Sequence, residues 1–166
     1  MSAPIVTRAG SQCKCKPTVG LREIAGPQTL HAAWRRVRAN KGAHGGDGVT
    51  VHEFENRLDR ELDMLARRLL NGTYRPRKLS RFRIAKPKGG FRRLAIPTVV
   101  DRVAQTATML ILGPVLDARF SASSHGYRAG HGVASAIAEL EAAIAAGHCH
   151  IVDIDIEAYF DSIPHQ

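Results

Sequence analysis

Near its C-terminal end the chain reads Ile151-Val152-Asp153-Ile154-Asp155-Ile156-Glu157-Ala158-Tyr159-Phe160-Asp161-Ser162-Ile163-Pro164-His165. This run limits the possible folds more than any other. Val152, Ile154 and Ile156 alternate with Asp153, Asp155 and Glu157, and a period of two belongs to a strand. The pattern predicts a buried strand that delivers a carboxylate and then turns into a helix. Three acids on one strand face repel one another and lose hydration, so such a cluster calls for a cation, either a metal ion or a basic side chain.

Charge is distributed to match. The 166 residues carry a formal +9. Residues 1–100 hold 21 Lys/Arg against 7 Asp/Glu, whereas residues 101–166 hold 3 against 8. A basic first part followed by a mildly acidic end suits a polyanion-binding surface beside a metal-seeking site. The stretch from Arg75 to Arg93 contains nine basic residues and no acid. The length allows one domain with a real core. Cys13, Cys15 and Cys149 make no disulfide framework, which points to a reducing compartment, and Cys13-Lys14-Cys15 has no second ligand pair at zinc spacing. No apolar run approaches membrane-spanning length and no hydrophobic signal core opens the chain, so the expectation is a cytoplasmic protein without a membrane partner.

Residues 1–28 mix Pro, Gly, Ser and basic residues and read as a mobile basic tail. Leu30, Ala33, Trp34 and Val37 share one face of a helix over 30–40, with Trp34 in the core. Lys41 to Gly48 breaks that helix; its four glycines let backbone N–H groups converge on an anion or let the chain approach another segment closely. Thr50-Val51-His52-Glu53 is a capping box. It opens a helix with Phe54, Leu58, Leu62, Leu65 and Leu69 on one face, stopped at Asn71-Gly72. Leu79–Ala85 and Phe91–Ile96 read as two strands around Lys86-Pro87-Lys88-Gly89-Gly90. This basic hairpin could close over a phosphate chain, or be an edge hairpin kept from aggregating by its charges. Thr98 caps the next helix, which Gly113-Pro114 interrupts. A turn-rich loop over 121–132 follows; the spacing of His125 and His131 supports no metal geometry. An alanine-rich helix over Val133–Ala146 leads to the acidic strand.

The order of these motifs resembles the reverse transcriptases of group II introns and their bacterial relatives. The residues that carry it are NKGAHGGDGVT at 40–50, RFRIAKPKGGFRRLAIPTVVDRVAQ at 81–105, SSHGYRAGHG at 123–132 and VDIDIEAYFDSIPH at 152–165. The resemblance runs from about Leu30 onward. It implies an α+β fold: helical fingers with a basic β-hairpin over 29–147, and the first strand of a palm over 148–166.

For individual residues the resemblance implies the following. Asp155 is the first catalytic aspartate and holds magnesium, with the Ile156 carbonyl as a further ligand. Phe160 is the aromatic gate that crowds a ribose 2′-hydroxyl. Lys86 and Arg92 grip the incoming triphosphate, and Arg128 lies near nucleotide and template. The loop at Lys41 and Gly42 contacts template RNA, alongside the basic hairpin residues Arg81, Arg83, Lys88 and Arg93. The implied partners are template or intron RNA, an RNA/DNA hybrid, a dNTP and a complementing C-terminal fragment. Ala129 and His131 depart from the family's usual residues after the arginine.

The family's second metal-binding element, an aromatic-x-Asp-Asp hairpin, has no counterpart in residues 1–166, which contain no Asp-Asp pair. One aspartate cannot clamp two ions. The 166-residue chain by itself is therefore expected not to polymerise DNA. The alternatives are a non-catalytic RNA-binding module and part of a CRISPR-associated or otherwise domesticated reverse transcriptase.

Overall fold

The computed structural model describes residues 20–85, 87, 89–157 and 159–164, with the side chains of Phe160 and Asp161 outside that description. The expected tail up to residue 19, with Cys13 and Cys15, lies outside the described residues, as do Lys86 and Lys88. The architecture is mixed: seven described helices and one antiparallel two-stranded sheet. Two compact units divide the chain, Met1–Ala118 and Arg119–Gln166, so the break falls inside the expected 29–147 region.

In the first unit, helix α1 (Leu21–Ile24) and α2 (Pro27–Ala39) begin earlier than the periodicity predicts. Pro27 occupies the first turn of α2, where its missing N–H leaves no bond unmade. Ile24 and Ala25 are buried, so residues 20–28 belong to the body and not to a tail. Helix α3 (Val51–Glu55) opens with the predicted box: the Glu53 N–H donates to Thr50 Oγ1 at 3.1 Å and the Thr50 N–H to Glu53 Oε2 at 2.8 Å. The Thr50 hydroxyl also donates to Glu53 Oε2, at 2.9 Å, and these two donors to Oε2, the Thr50 N–H first, hold the Glu53 carboxyl below the usual glutamate range.

The single helix expected from Thr50 to Leu70 is two. The backbone breaks at Asn56 and Arg57, where Arg57 leaves helical geometry (φ −126°, ψ 22°), before α4 (Leu58–Leu70). Phe54 of α3 and Leu62 and Leu65 of α4 are all buried in the core on either side of this break. Gly72, at φ +67°, ends α4 in the left-handed conformation that glycine adopts without strain.

Strands β1 (Ser80–Ala85) and β2 (Phe91–Ile96) pair antiparallel, with Ser80 opposite Ile96 and Ala85 opposite Phe91. Helix α5 (Val99–Asp117) then runs through Pro114 without the expected interruption. By length and composition alone α5 is long and apolar enough to span a membrane, contrary to the expectation that no apolar run is. Val99, Val103, Ala104 and Ala107 make it instead a central helix of the core, packed along α2. Leu30, Trp34 and Val37 of α2, Phe54 of α3 and Leu62 and Leu65 of α4 complete that core. The Trp34 and Phe54 rings lie 5.1 Å apart between centroids.

The second unit contains the 121–132 loop, α6 (Val133–Ala145) and the one-turn α7 (Tyr159–Ser162). None of its described residues is buried. The strand expected at 151–156 is not formed. Ile151, Val152, Ile154 and Ile156 are 65–82% exposed, and among the described residues no strand pairs with them. Alternation prepares a segment for a sheet, but its backbone groups need a ladder partner to become a strand.

Candidate nucleic-acid and nucleotide site

Pairing register sorts the basic residues of the hairpin. Directly opposed residues in an antiparallel pair project to the same face, and neighbours along a strand to opposite faces. Arg83 lies opposite Arg93 and Arg81 opposite Ala95, which places Arg81, Arg83 and Arg93 on one face with Phe91. Arg92 lies opposite Ile84 and shares the other face with Phe82 and Leu94. The hairpin therefore has a face with three arginines and a mainly apolar face with one. All four arginines are exposed, and the hairpin side chains make no ion pair among the described residues. A solvated guanidinium with no carboxylate partner is available to a phosphate.

The glycine loop is packed, not open. A Cβ on Gly45 would fall 2.7 Å from the Pro97 carbonyl carbon, and one on Gly46 would strike the Lys78 backbone. One on Gly42 would collide with the Arg102 guanidinium. Of the two uses open to these glycines, close approach explains Gly42, Gly45 and Gly46. Arg102 donates to the Ala43 carbonyl at 2.8 Å, and its Nε is buried without a partner among the described residues. Burial lowers its affinity for the proton, partly offset by the charge of Asp47. Lys41 stays exposed at φ +44°.

Sequence reasoning missed the polar centre beneath the hairpin. Asp101, in the first turn of α5, is 2% exposed. Its Oδ1 accepts from the Tyr74 hydroxyl at 2.6 Å; its Oδ2 accepts from the Arg77 N–H at 3.0 Å and the Thr98 hydroxyl at 2.7 Å. Burial, and then the bond to Asp101, push the Tyr74 hydroxyl well above its ordinary value. The Arg77 side chain reaches the other way, to Asp47 at 2.9 Å. The only local signal was Thr98 with an aspartate three residues on, which reads as a helix cap.

In the second unit, Arg128 donates through Nη1 to the carbonyls of Ser121 and Ser124, both at 2.8 Å, and lies over the Phe120 ring. It braces the 121–132 loop. His125 bridges Ser135 Oγ at 2.9 Å and Glu139 Oε2 at 2.7 Å, and Ser123 also bonds Glu139. These two side chains hold the Glu139 carboxyl below its usual range, Ser123 contributing most. His125 thus belongs to the clasp between loop and α6.

Asp153, Asp155 and Glu157 are exposed. Asp155 and the Ile156 carbonyl are hard oxygen donors of the kind magnesium takes, but magnesium asks for six in a near-ideal octahedron. Among the described residues no group of three or more His, Cys, Asp or Glu converges on a point. The donor chemistry fits the metal; the donor number does not complete a site.

Comparison with known proteins places these elements in a family. The family described as reverse transcriptase (RNA-dependent DNA polymerase) matches residues 84–166, half of the chain, from β1 through the acidic segment. The chain belongs to the reverse transcriptase family. It is of the group II intron type. The group II intron-encoded protein LtrA of Lactococcus lactis subsp. cremoris is 28% identical over 145 residues, covering 87% of this chain and 24% of LtrA. The putative COX1/OXI3 intron 1 protein of Saccharomyces cerevisiae is 27% identical over 136 residues, covering 82% of this chain and 16% of that protein. Protein YkfC of Escherichia coli K12 is 34% identical over 152 residues, covering 88% of this chain and 40% of YkfC. This reverse transcriptase chain thus spans less than half the length of these curated relatives. Its similarity to them extends over most of its own residues, whereas the family match begins at Ile84.

Proposed function

We propose that the chain is the fingers and the first palm segment of an RNA-directed DNA polymerase that copies intron or other template RNA in the cytoplasm. The observation that carries this reading is the acid-free basic hairpin, whose register parts Arg92 from Arg81, Arg83 and Arg93, in a chain of the reverse transcriptase family. Arg81, Arg83 and Arg93, on one face of the hairpin, hold template phosphates, a role shared by Lys88 and by the loop at Lys41 and Gly42. Arg92, on the other face, neutralises the triphosphate of a dNTP, a role shared by Lys86. Cations aimed at a transferring phosphoryl group stabilise the charge that spreads over its oxygens. Arg128 supports the nucleotide from the 121–132 loop, and Phe160 crowds a 2′-hydroxyl. Asp155 and the Ile156 carbonyl supply part of a magnesium site, the other oxygens coming from outside the described residues. Magnesium, when bound, supplies Lewis-acid stabilisation of phosphate oxygens.

The 166-residue chain by itself is proposed to bind RNA without polymerising. Purified chain should bind a labelled RNA oligonucleotide with an affinity that falls steeply as salt rises. Replacing Arg81, Arg83 and Arg93 together by alanine should flatten that dependence by about two units of log–log slope, at about 0.7 per phosphate on single strands. An unchanged slope would refute the hairpin as the grip. Primer extension with magnesium and dNTPs should give no product; incorporation by the purified chain would refute the inactive reading.

A further inference from the structure

We propose that Asp101 is a positioning residue for the basic hairpin, fixing both of its legs to α5 and so setting where its arginines meet a nucleic-acid strand. This rests on the hairpin being a nucleic-acid grip. The hairpin cannot orient itself. A two-stranded hairpin is marginal in water, and from Arg81 to Ala95 every described residue is exposed. Its direction must be set at its base, and there one carboxylate touches both sides. Tyr74 and Arg77 precede β1, which begins at Ser80; Thr98 follows β2, which ends at Ile96. Asp101 accepts from all three.

The chemistry requires a carboxylate. The Arg77 N–H can only donate, so the oxygen opposite it must accept, and an ionised carboxylate accepts at both oxygens. Hydrogen bonds to a charged acceptor are shorter and stronger than neutral ones, and the 2.6 and 2.7 Å distances fit that class. The same post reaches the glycine loop. Arg77 carries the connection to Asp47 at 2.9 Å, and Asp47 accepts from the Val49 N–H at 3.2 Å. Gly45 and Gly46 lie against Pro97 and Lys78 at the two hairpin legs. Template loop and hairpin are therefore registered through one buried acid.

The test uses the whole chain and a fluorescein-labelled single-stranded RNA, with affinity measured across a salt series. Asp101→Asn keeps the shape but removes the charge and turns a donor towards one partner. The expected result is at least about a fivefold loss of affinity and a salt slope shallower by about one contact, about 0.7. Amide exchange over 80–96 should accelerate, while the Trp34 fluorescence melt still shows a folded core. A general loss of folded protein lowers the binding fraction and leaves the slope alone, so the slope separates positioning from mere stability. Tyr74→Phe, which removes a single arm, is the second variant should Asp101→Asn fail to fold, and it should shift the slope in the same direction. Unchanged slopes in the folded variants would overturn the proposal. If the triple-arginine variant flattens the slope and these do not, only the role of Asp101 falls. If the triple variant changes nothing, the grip itself falls and Asp101 has nothing to position.

Discussion

Among the described residues two threonines start helices, and they are not equivalent. Thr50 caps α3 on an exposed turn, where its partners are local. Its replacement by alanine should cost about 1 kcal/mol, the ordinary value for a lost cap. Thr98 is fully buried and also donates to Asp101. Alanine there removes the cap and leaves a buried carboxylate short of a donor, for a combined cost of about 2–3 kcal/mol in urea titrations. Gly45→Ala should be more damaging than alanine at the exposed Gly89, because a methyl at 45 meets the backbone of Pro97 and Thr98. Capping boxes and helix stops were legible in the sequence because their partners lie within about two turns of the chain, the longest from the Tyr74 N–H to the Arg68 carbonyl. The Asp101 centre was not, because Tyr74 and Arg77 lie 27 and 24 residues upstream. Arg102 is similar: nothing near it in sequence announces a guanidinium packed on Gly42.

At the scale of elements, periodicity identified the buried faces of α2 and α4, and residue pattern both strands of the hairpin, since those patterns follow from what each element packs against. It placed one helix where α3 and α4 stand, because a single period fits both and a bend leaves no mark in the apolar spacing. It read 151–156 as a buried strand, because alternation says which residues would share a face but not whether a partner strand exists. The clasp between the 121–132 loop and α6 is also an element-scale property, and it titrates. Glu139 has a folded-state value below its ordinary 4.5, so its contribution is present above that value and is lost as the pH falls through the lower, folded one. Amide protection in 121–132, relative to the intrinsic exchange rate at each pH, should therefore fall on acidification below pH 4.5, and Glu139→Gln should abolish that dependence.

For the whole molecule, the contrast lies between a first unit with a packed core and a second whose described residues are all at least partly exposed. Phe54 is 2% exposed against Trp34, and Phe54→Ala should cost about 3–5 kcal/mol. Trp34, the only tryptophan, reports that loss directly. Limited proteolysis should cut first in the second unit and leave a resistant product ending near Ala118. Early cleavage within α2 or α5 would contradict this.

The two faces of the hairpin have a consequence for how the chain can vary. Arg92 and Arg93 are chemically identical neighbours, yet alternation sends them to different sides. What distinguishes them is parity. One uncharged residue gained or lost within β2 between Arg93 and Ile96, with the base held at Asp101, would exchange the faces of the two arginines without altering the hairpin's charge. Two residues would lengthen the arm and restore the assignment. Variation in the length of this arm is therefore expected in even steps.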